Sequence, residues 1–219
     1  SKAKSAPRVI PDKEGSSDGK QQQEFLSGLP PTEGARRRLG LAPNPESSRT
    51  QRGDATKLTY RKLASKLPTG KTLDYGAGQG IGADEFRTQG QDTETFEPFP
   101  NVHREWLSSE EPTFTETESI PSNTYDNVTS LSVLNVLPKN LRHEAEKEIG
   151  RVLKPGGQAH ITVRNVAAVS SAKNKREGDE PNAFFVKQGK ESETFQIGFS
   201  SADLQTELER VLGQGFTVT

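Results

Sequence analysis

The chain has 219 residues, a net charge of -1 and no cysteine. This length fits one α/β domain with a tail, and the lack of cysteine excludes disulfides, thiolate metal sites and cysteine nucleophiles. The balance of 29 basic and 30 acidic residues gives no global attraction to nucleic acid or to an anionic membrane.

Residues 1–53 differ in composition from the rest of the chain. They are rich in Pro, Gly, Ser, Gln, Lys and Arg, and they contain few aliphatic residues. Only 29% of the whole chain is hydrophobic, against a usual share of about 45–50% that also counts glycine, so part of it is expected to lie outside a core. We predict an extended or disordered N-terminal arm at 1–53, either solvated or docked on a protein partner, and a folded domain at 54–219.

From residue 54 onwards helical and strand patterns alternate, which is typical of a mostly parallel sheet flanked by helices. Leu58, Leu63 and Leu67 lie near helical spacing, and Pro68 ends that first helix. The next predicted elements are a strand at 71–75, a helix at 80–89, strands at 93–96, 113–115 and 125–132, a helix at 140–153, a turn at 155–157 and a strand at 158–164.

The last part of the chain has weaker patterns. Residues 165–192 are polar and irregular, and their basic cluster of Lys173, Lys175 and Arg176 is expected to be a solvated loop. The remaining predicted elements are a strand at 194–197, a helix at 202–212 that Ser200 or Ser201 caps, and a last strand at 215–219. No apolar run approaches the ~18 residues that a membrane span needs, and we expect the protein to work in the cytoplasm of its producing cell or host.

The strand at 71–75, the glycines after it and the helix at 80–89 form a corner that binds nucleotides in α/β proteins. Gly78-Gln79-Gly80-Ile81-Gly82-Ala83 satisfies the G-x-G-x-x-A dinucleotide pattern, and Glu97 lies about 20 residues on, where a ribose ligand is expected. The register of the glycines argues against a dinucleotide site, because the strand ends at Tyr75 and the turn that starts at Gly76 has the pattern G-x-G-x-G. Asp74 also suits a cationic group and would repel a pyrophosphate.

The sequence Asp74-Tyr75-Gly76-Ala77-Gly78-Gln79-Gly80 resembles the motif D/E-x-G-x-G-x-G of class I S-adenosylmethionine-dependent methyltransferases. The stretch Tyr125-Asp126-Asn127-Val128 is similar to the F/Y-D-x-V strand of that family, and Leu153-Lys154-Pro155-Gly156-Gly157 contains its L-K-P-G-G turn. The resemblance covers residues 71–164 and extends loosely to 219. It implies a Rossmann-like α/β fold with a mostly parallel seven-stranded sheet flanked by helices, and S-adenosylmethionine as cofactor.

The same resemblance implies a role in cofactor binding for individual residues. Asp74 would lie near the cofactor's amino group, Glu97 would hold both ribose hydroxyls, and Glu116 would accept a hydrogen bond from the adenine amino group. Tyr60, on the helix before the first strand, is a weaker candidate to pack over the cofactor. The other implied cofactor contacts come from Gly76, Ala77, Gly78, Gly80, Thr117 and Leu131.

The implied function is methyl transfer to an acceptor that the sequence does not identify, with no catalytic residue and no metal ligand assigned. Residues 134–138 lack the [D/N/S]-P-P-[Y/F] motif of enzymes that methylate DNA amino groups, and no clear nucleic-acid signature is present. Among the histidines, His103 is a candidate to border the pocket, His143 is expected to be solvated and His160 to be structural.

Two other functions stay open at this stage. The domain could be a methyltransferase-like fold that serves as a binding or structural component of a larger assembly, such as a virus particle. An NAD(P)-binding oxidoreductase is the less favoured alternative, because only the overlapping G-x-G-x-x-A register and Glu97 support it.

Overall fold

The computed structural model describes residues 54–100, 106–187 and 193–219, so the predicted arm at 1–53 lies outside the described residues. The first part of the domain alternates helices and strands as predicted. Its elements are α1 (Asp54–Ala64), β1 (Lys71–Tyr75), α2 (Ile81–Thr88), β2 (Asp92–Phe96), β3 (Tyr125–Leu131), α3 (Lys139–Val152) and β4 (Leu153–Thr162).

These strands form a four-stranded parallel sheet in the order β2-β1-β3-β4. Tyr75 at the end of β1 pairs with Phe96 at the end of β2, and Asp74 pairs with Thr129 of β3. The carboxyl ends of these strands therefore meet at one edge, which is where open α/β sheets bind ligands. All of β1 except Lys71 is buried, as expected of a central parallel strand covered on both faces.

The two faces of this sheet carry separate hydrophobic clusters, because side chains alternate along each strand. The cluster on the α3 face contains Leu73, Tyr75, Phe96, Ile120, Tyr125, Val128, Leu134, Ala145, Ile149, Val152 and Leu153. Asp74 points to the opposite face, where α1 and α2 pack through Tyr60, Leu63, Ala64, Leu67 and Phe86. Leu58, which lies near helical spacing with Leu63 and Leu67, is 48% exposed and does not join this cluster.

The prediction of one seven-stranded sheet is wrong. Beyond α4 (Val166–Ser170), the strands β5 (Lys175–Glu177), β6 (Ala183–Lys187) and β7 (Glu193–Ile197) form a separate three-stranded sheet. Both of its pairings are antiparallel, so these strands cannot continue the parallel sheet by helical crossovers. The polar stretch at 165–192 is thus partly regular structure and not an irregular loop.

Two further predicted strands are absent from the described residues. The strand expected at 113–115 is reduced to a single bridge between Phe96 and Phe114, and residues 215–219 form a turn and an irregular end. The helix before them, α5 (Ser201–Leu212), is confirmed. Ser200 caps it, since its hydroxyl accepts from the Asp203 amide at 3.1 Å and the Asp203 carboxylate accepts from the Ser200 amide in return.

The fully buried side chain of Arg142 fastens the second sheet and α5 to α3. Its guanidinium donates to Glu207 of α5 at 2.5 Å and to Glu180, in the loop between β5 and β6, at 2.6 Å. It also donates to the Leu137 carbonyl at 3.0 Å. Nowhere in the described ranges is there a helix long and apolar enough to cross a membrane.

Candidate functional site

The loop between β1 and α2 has a backbone that requires glycine. Gly76, Gly78 and Gly80 have φ angles of 83°, 64° and 76°, in the left-handed region that other residues rarely adopt. At Gly80 a side chain would also meet Ser108 and the Trp106 ring at 2.5–2.6 Å. The spacing of three glycines therefore follows from three left-handed positions in one tight turn.

Most of the loop amides donate within the protein. The amides of Gly76 and Ala77 both donate to the Phe96 carbonyl, at 2.9 and 3.0 Å, and that of Gly80 donates to the Ala77 carbonyl at 3.0 Å. These bonds fix the loop against the end of β2. They also leave these amides turned away from any pyrophosphate, which a dinucleotide fold holds with backbone N–H groups.

Glu97 closes the loop from the end of β2. One carboxylate oxygen accepts from the Gly78 amide at 2.7 Å and the other from the Phe99 amide at 3.1 Å. Burial raises the pKa of Glu97, and the two amides act against that rise. An ionised carboxylate has about four lone-pair positions, so Glu97 retains acceptor capacity for two further donors.

Asp74 lies behind this loop and is fully buried. Its carboxylate accepts from the Thr129 hydroxyl at 2.8 Å and from the Tyr60 hydroxyl at 3.2 Å. Burial raises its pKa to about 6, although both hydrogen bonds lower it. Tyr60 in turn lies flat against Gly82, where an added Cβ would be 2.2 Å from the ring. Gly82 therefore leaves the space in which the Tyr60 ring packs.

A cavity of about 470 Å³ opens at the carboxyl ends of the strands. Tyr60 is part of its wall, together with most of the predicted cofactor contacts. The predicted residues that line the cavity are Gly76, Ala77, Gly78, Glu97, Glu116, Thr117 and Leu131. Asp74 and Gly80 do not line it, so direct contact of either with a cofactor stays a prediction.

Sequence reasoning missed the contribution of α3 to the cavity. Leu141, Glu144, Ala145 and Glu148 line it from one side. Their spacing of three and four residues puts them on one helical face. The sequence predicts this helix at 140–153, and its helical periodicity is the signal that could have placed these residues on a common wall.

The charged groups on the cavity wall are all acidic in the part of the chain that the structure describes. Glu97, Glu116, Glu144 and Glu148 line it, and none of the described lining residues is Lys, Arg or His. Glu148 is paired with Arg151 at 2.6 Å. Such a wall attracts a cationic ligand and repels a pyrophosphate.

The three histidines have different outcomes. His103 lies outside the described residues. His160 is exposed on β4, so its predicted structural role is not supported by burial. His143 is only partly exposed, because it packs against Glu207 of α5, so the expectation that it is solvated holds only in part.

Comparison with known proteins agrees with this architecture. A family model described as a methyltransferase domain matches residues 48–209. The search of curated proteins gives no match. The structure is similar to that of the PH0226 protein of Pyrococcus horikoshii OT3, with a TM-score of 0.57 at 18% identity over 72% of this chain and 79% of that one. It is also similar to the CcbJ methyltransferase of Streptomyces caelestis, with a TM-score of 0.52 at 15% identity over 74% and 81%.

Proposed function

Because the chain belongs to the methyltransferase domain family, we propose that it transfers a methyl group from S-adenosylmethionine to an acceptor bound beside the same cavity. The observation that carries this proposal is the acidic wall of the cavity next to a glycine loop whose amides are already bonded. S-adenosylmethionine carries a sulfonium and an ammonium and no phosphate, so it suits a site that is unfavourable for a dinucleotide.

Glu97 is the residue best suited to the cofactor's ribose. Its two oxygens each hold one backbone amide and each retain a lone pair, so a diol can donate to both. Glu116 and Thr117, which also line the cavity, are assigned to the adenine. The loop at Gly76, Ala77 and Gly78, with Leu131 at the end of β3, is assigned to the methionine portion.

Asp74 contributes to this site through Tyr60 in our proposal. The carboxylate has no access to the cavity, but the ring whose hydroxyl it holds forms part of the wall. An anion behind the wall also favours a cation in front of it, since a buried charge is weakly screened. The acidic residue of the glycine motif thus both positions the Tyr60 ring and adds negative charge behind the cavity wall.

The task of the protein in the reaction is positioning. Bound S-adenosylmethionine supplies a methyl group that is already activated by its sulfonium. The wall residues would hold that group in line with the acceptor atom, which forms the new bond to carbon as the carbon–sulfur bond breaks and its electron pair stays on sulfur. Alignment of two reactants by a protein accounts for ~7–11 kcal/mol of a barrier, and a good nucleophile as acceptor needs no general base.

The test is transfer of labelled methyl groups from S-adenosylmethionine into a cell extract, followed by separate nuclease and protease digestion. We expect label in one macromolecular or small-molecule fraction with the wild-type chain and strongly reduced label with Glu97→Gln. Binding of S-adenosylhomocysteine without any transfer would favour a methyltransferase-like binding or assembly role instead.

A further inference from the structure

A second cluster of titratable side chains lies where α5 packs on α3, and none of its members lines the cavity. His143 and Glu146 are three residues apart and share one face of α3, and Glu207 faces them from α5. One ring nitrogen of His143 and one oxygen of each carboxylate all lie within 4.8 Å of one another. The cluster therefore has the ligand types and the closeness of a metal site.

Glu146 is the unusual member of this cluster. Its side chain is completely buried, and both of its carboxylate oxygens lack a hydrogen-bond donor among the described residues. A buried carboxylate is costly unless a charge or a donor compensates it. The buried Arg142 beside it is already bonded to Glu180 and Glu207. The carboxyl of Glu146 therefore needs either a proton that it shares with Glu207 or a bound cation.

The imidazole of His143 is oriented to accept. Its Nε2 lies 2.9 Å from a guanidinium nitrogen of Arg210. Guanidinium groups only donate, so Nε2 carries its lone pair in this contact. The same lone pair is the one that coordinates a metal ion. Arg210 is exposed on α5, so its side chain can move into solvent when another cation takes its place.

We propose that His143, Glu146 and Glu207 bind one divalent transition-metal ion of the Zn²⁺ type, which fastens α5 to α3. One imidazole with two carboxylates and an open position for water is a ligand set that Zn²⁺ accepts, whereas Mg²⁺ prefers oxygen ligands alone. In a tetrahedral site, zinc bonds of about 2.0–2.2 Å place ligand atoms about 3.3–3.6 Å apart. The three ligand atoms, which lie within 4.8 Å of one another, therefore need to approach by roughly 1 Å.

The local charges agree with a divalent ion. When Arg210 withdraws and a metal ion displaces any proton from the cluster, the carboxylates of Glu146, Glu180 and Glu207 face the single positive charge of Arg142. Two negative charges are then left for the ion to compensate. Arg142 also donates to both oxygens of Glu207, at 2.5 and 3.2 Å. Such hydrogen-bonding partners orient the carboxylates that bind metals.

The test is calorimetric titration of the full chain, first stripped with chelator, with Zn²⁺ and in parallel with Mg²⁺. We expect one Zn²⁺ per chain, a melting temperature that rises with Zn²⁺ concentration, and no comparable response to Mg²⁺. Glu146→Gln and the more accessible His143→Gln should each weaken binding at least ~10-fold. Glu209→Gln removes the same charge from an exposed position of α5 and should bind as the wild type does.

Failure of the wild-type chain to bind Zn²⁺ saturably would overturn the proposal and would mean that Glu146 and Glu207 are held by a shared proton. Equal Zn²⁺ affinity in the wild type, Glu146→Gln and His143→Gln would also overturn it, because the ion would then sit elsewhere. Since His143 is partly exposed whereas Glu146 is fully buried, the His143 variant separates loss of a ligand from loss of the fold.

Discussion

The hydroxyl of Tyr60 on α1 lies 3.2 Å from one carboxylate oxygen of Asp74 on β1 and 3.3 Å from the other. This contact joins the aspartate of the glycine motif to a residue of the cavity wall. Burial raises the pKa of Tyr60 well above its usual value, and Asp74 adds to the rise, so the tyrosine remains a donor at all relevant pH values. The acid of the motif is thus a positioning residue for the wall.

Replacing Tyr60 with Phe should destabilise the protein and weaken cofactor binding. The ring still packs on Gly82, but Asp74 keeps only the hydrogen bond from Thr129. A hydrogen bond to a charged group contributes about 1.5–3 kcal/mol, so the free energy of unfolding should fall by that amount in denaturant titrations. Tyr75→Phe is the control, because the Tyr75 hydroxyl forms no hydrogen bond with the described residues, and its effect should be smaller. If the two substitutions lowered stability and cofactor affinity equally, the proposed role of the Tyr60 hydroxyl as the donor to Asp74 would be contradicted.

Asp74 should make stability depend on pH in the acidic range. Burial raises its pKa from 3.8 to about 6, so between about pH 4 and pH 6 the folded state binds a proton that the unfolded chain has lost. Its contribution to stability is therefore complete below pH 3.8 and lost as the pH rises through about 6. Relative to Asp74→Asn, the wild type should lose up to ~3 kcal/mol across this window. Denaturant titrations of both proteins from pH 4 to pH 7 measure the difference, and a constant difference would refute the assignment.

Glu97→Gln should weaken binding of S-adenosylhomocysteine about 10-fold or more. The substitution turns one acceptor oxygen into a donor, which must face the amide of either Gly78 or Phe99. Charge-assisted hydrogen bonds to the ribose are lost as well. Glu116→Gln is a matched control, since an exposed glutamine retains an acceptor for the adenine amino group. Titration calorimetry should show the larger loss of affinity for the variant at position 97. A larger loss of affinity for the variant at position 116 would be inconsistent with ribose at Glu97 and adenine at Glu116.

Arg142→Met should lower the free energy of unfolding by about 3–5 kcal/mol, because it leaves Glu180 and Glu207 without their buried partner. Arg176→Met provides the comparison. Arg176 is 53% exposed where it pairs with Glu193, so its loss should change stability by under about 1 kcal/mol. Chemical denaturation of the two variants measures both values. Similar small effects would show that Arg142 does not hold the second sheet and α5 in place.

The parallel sheet was predictable because its strands and helices have clear periodicity. Of the second sheet only β7 was predicted, as the strand at 194–197. β5 was missed because all three of its residues are exposed and give no alternation of apolar and polar positions. The prediction of a last strand at 215–219 was wrong for the opposite reason. Residues 215–219 have an apolar pattern, yet the described residues offer them no neighbouring strand. Short strands depend on partners that are distant in sequence.

The candidate site was predicted in part. The glycine loop and Glu97 follow from local sequence, because left-handed turns need glycine and strand ends meet at one edge of the sheet. The orientation of Asp74 depends on Tyr60, which lies 14 residues upstream on another element. The wall formed by Leu141, Glu144, Ala145 and Glu148 depends on how α3 packs on the sheet, which periodicity alone does not specify.

The central claim is that the acidic cavity at the glycine loop binds S-adenosylmethionine and not a dinucleotide. Calorimetric titration of the full chain with S-adenosylhomocysteine, NAD⁺ and NADP⁺ under one buffer condition tests it most directly. We predict saturable binding of one S-adenosylhomocysteine per chain and no saturable binding of either dinucleotide. Saturable binding of NAD⁺ or NADP⁺ without binding of S-adenosylhomocysteine would contradict the account.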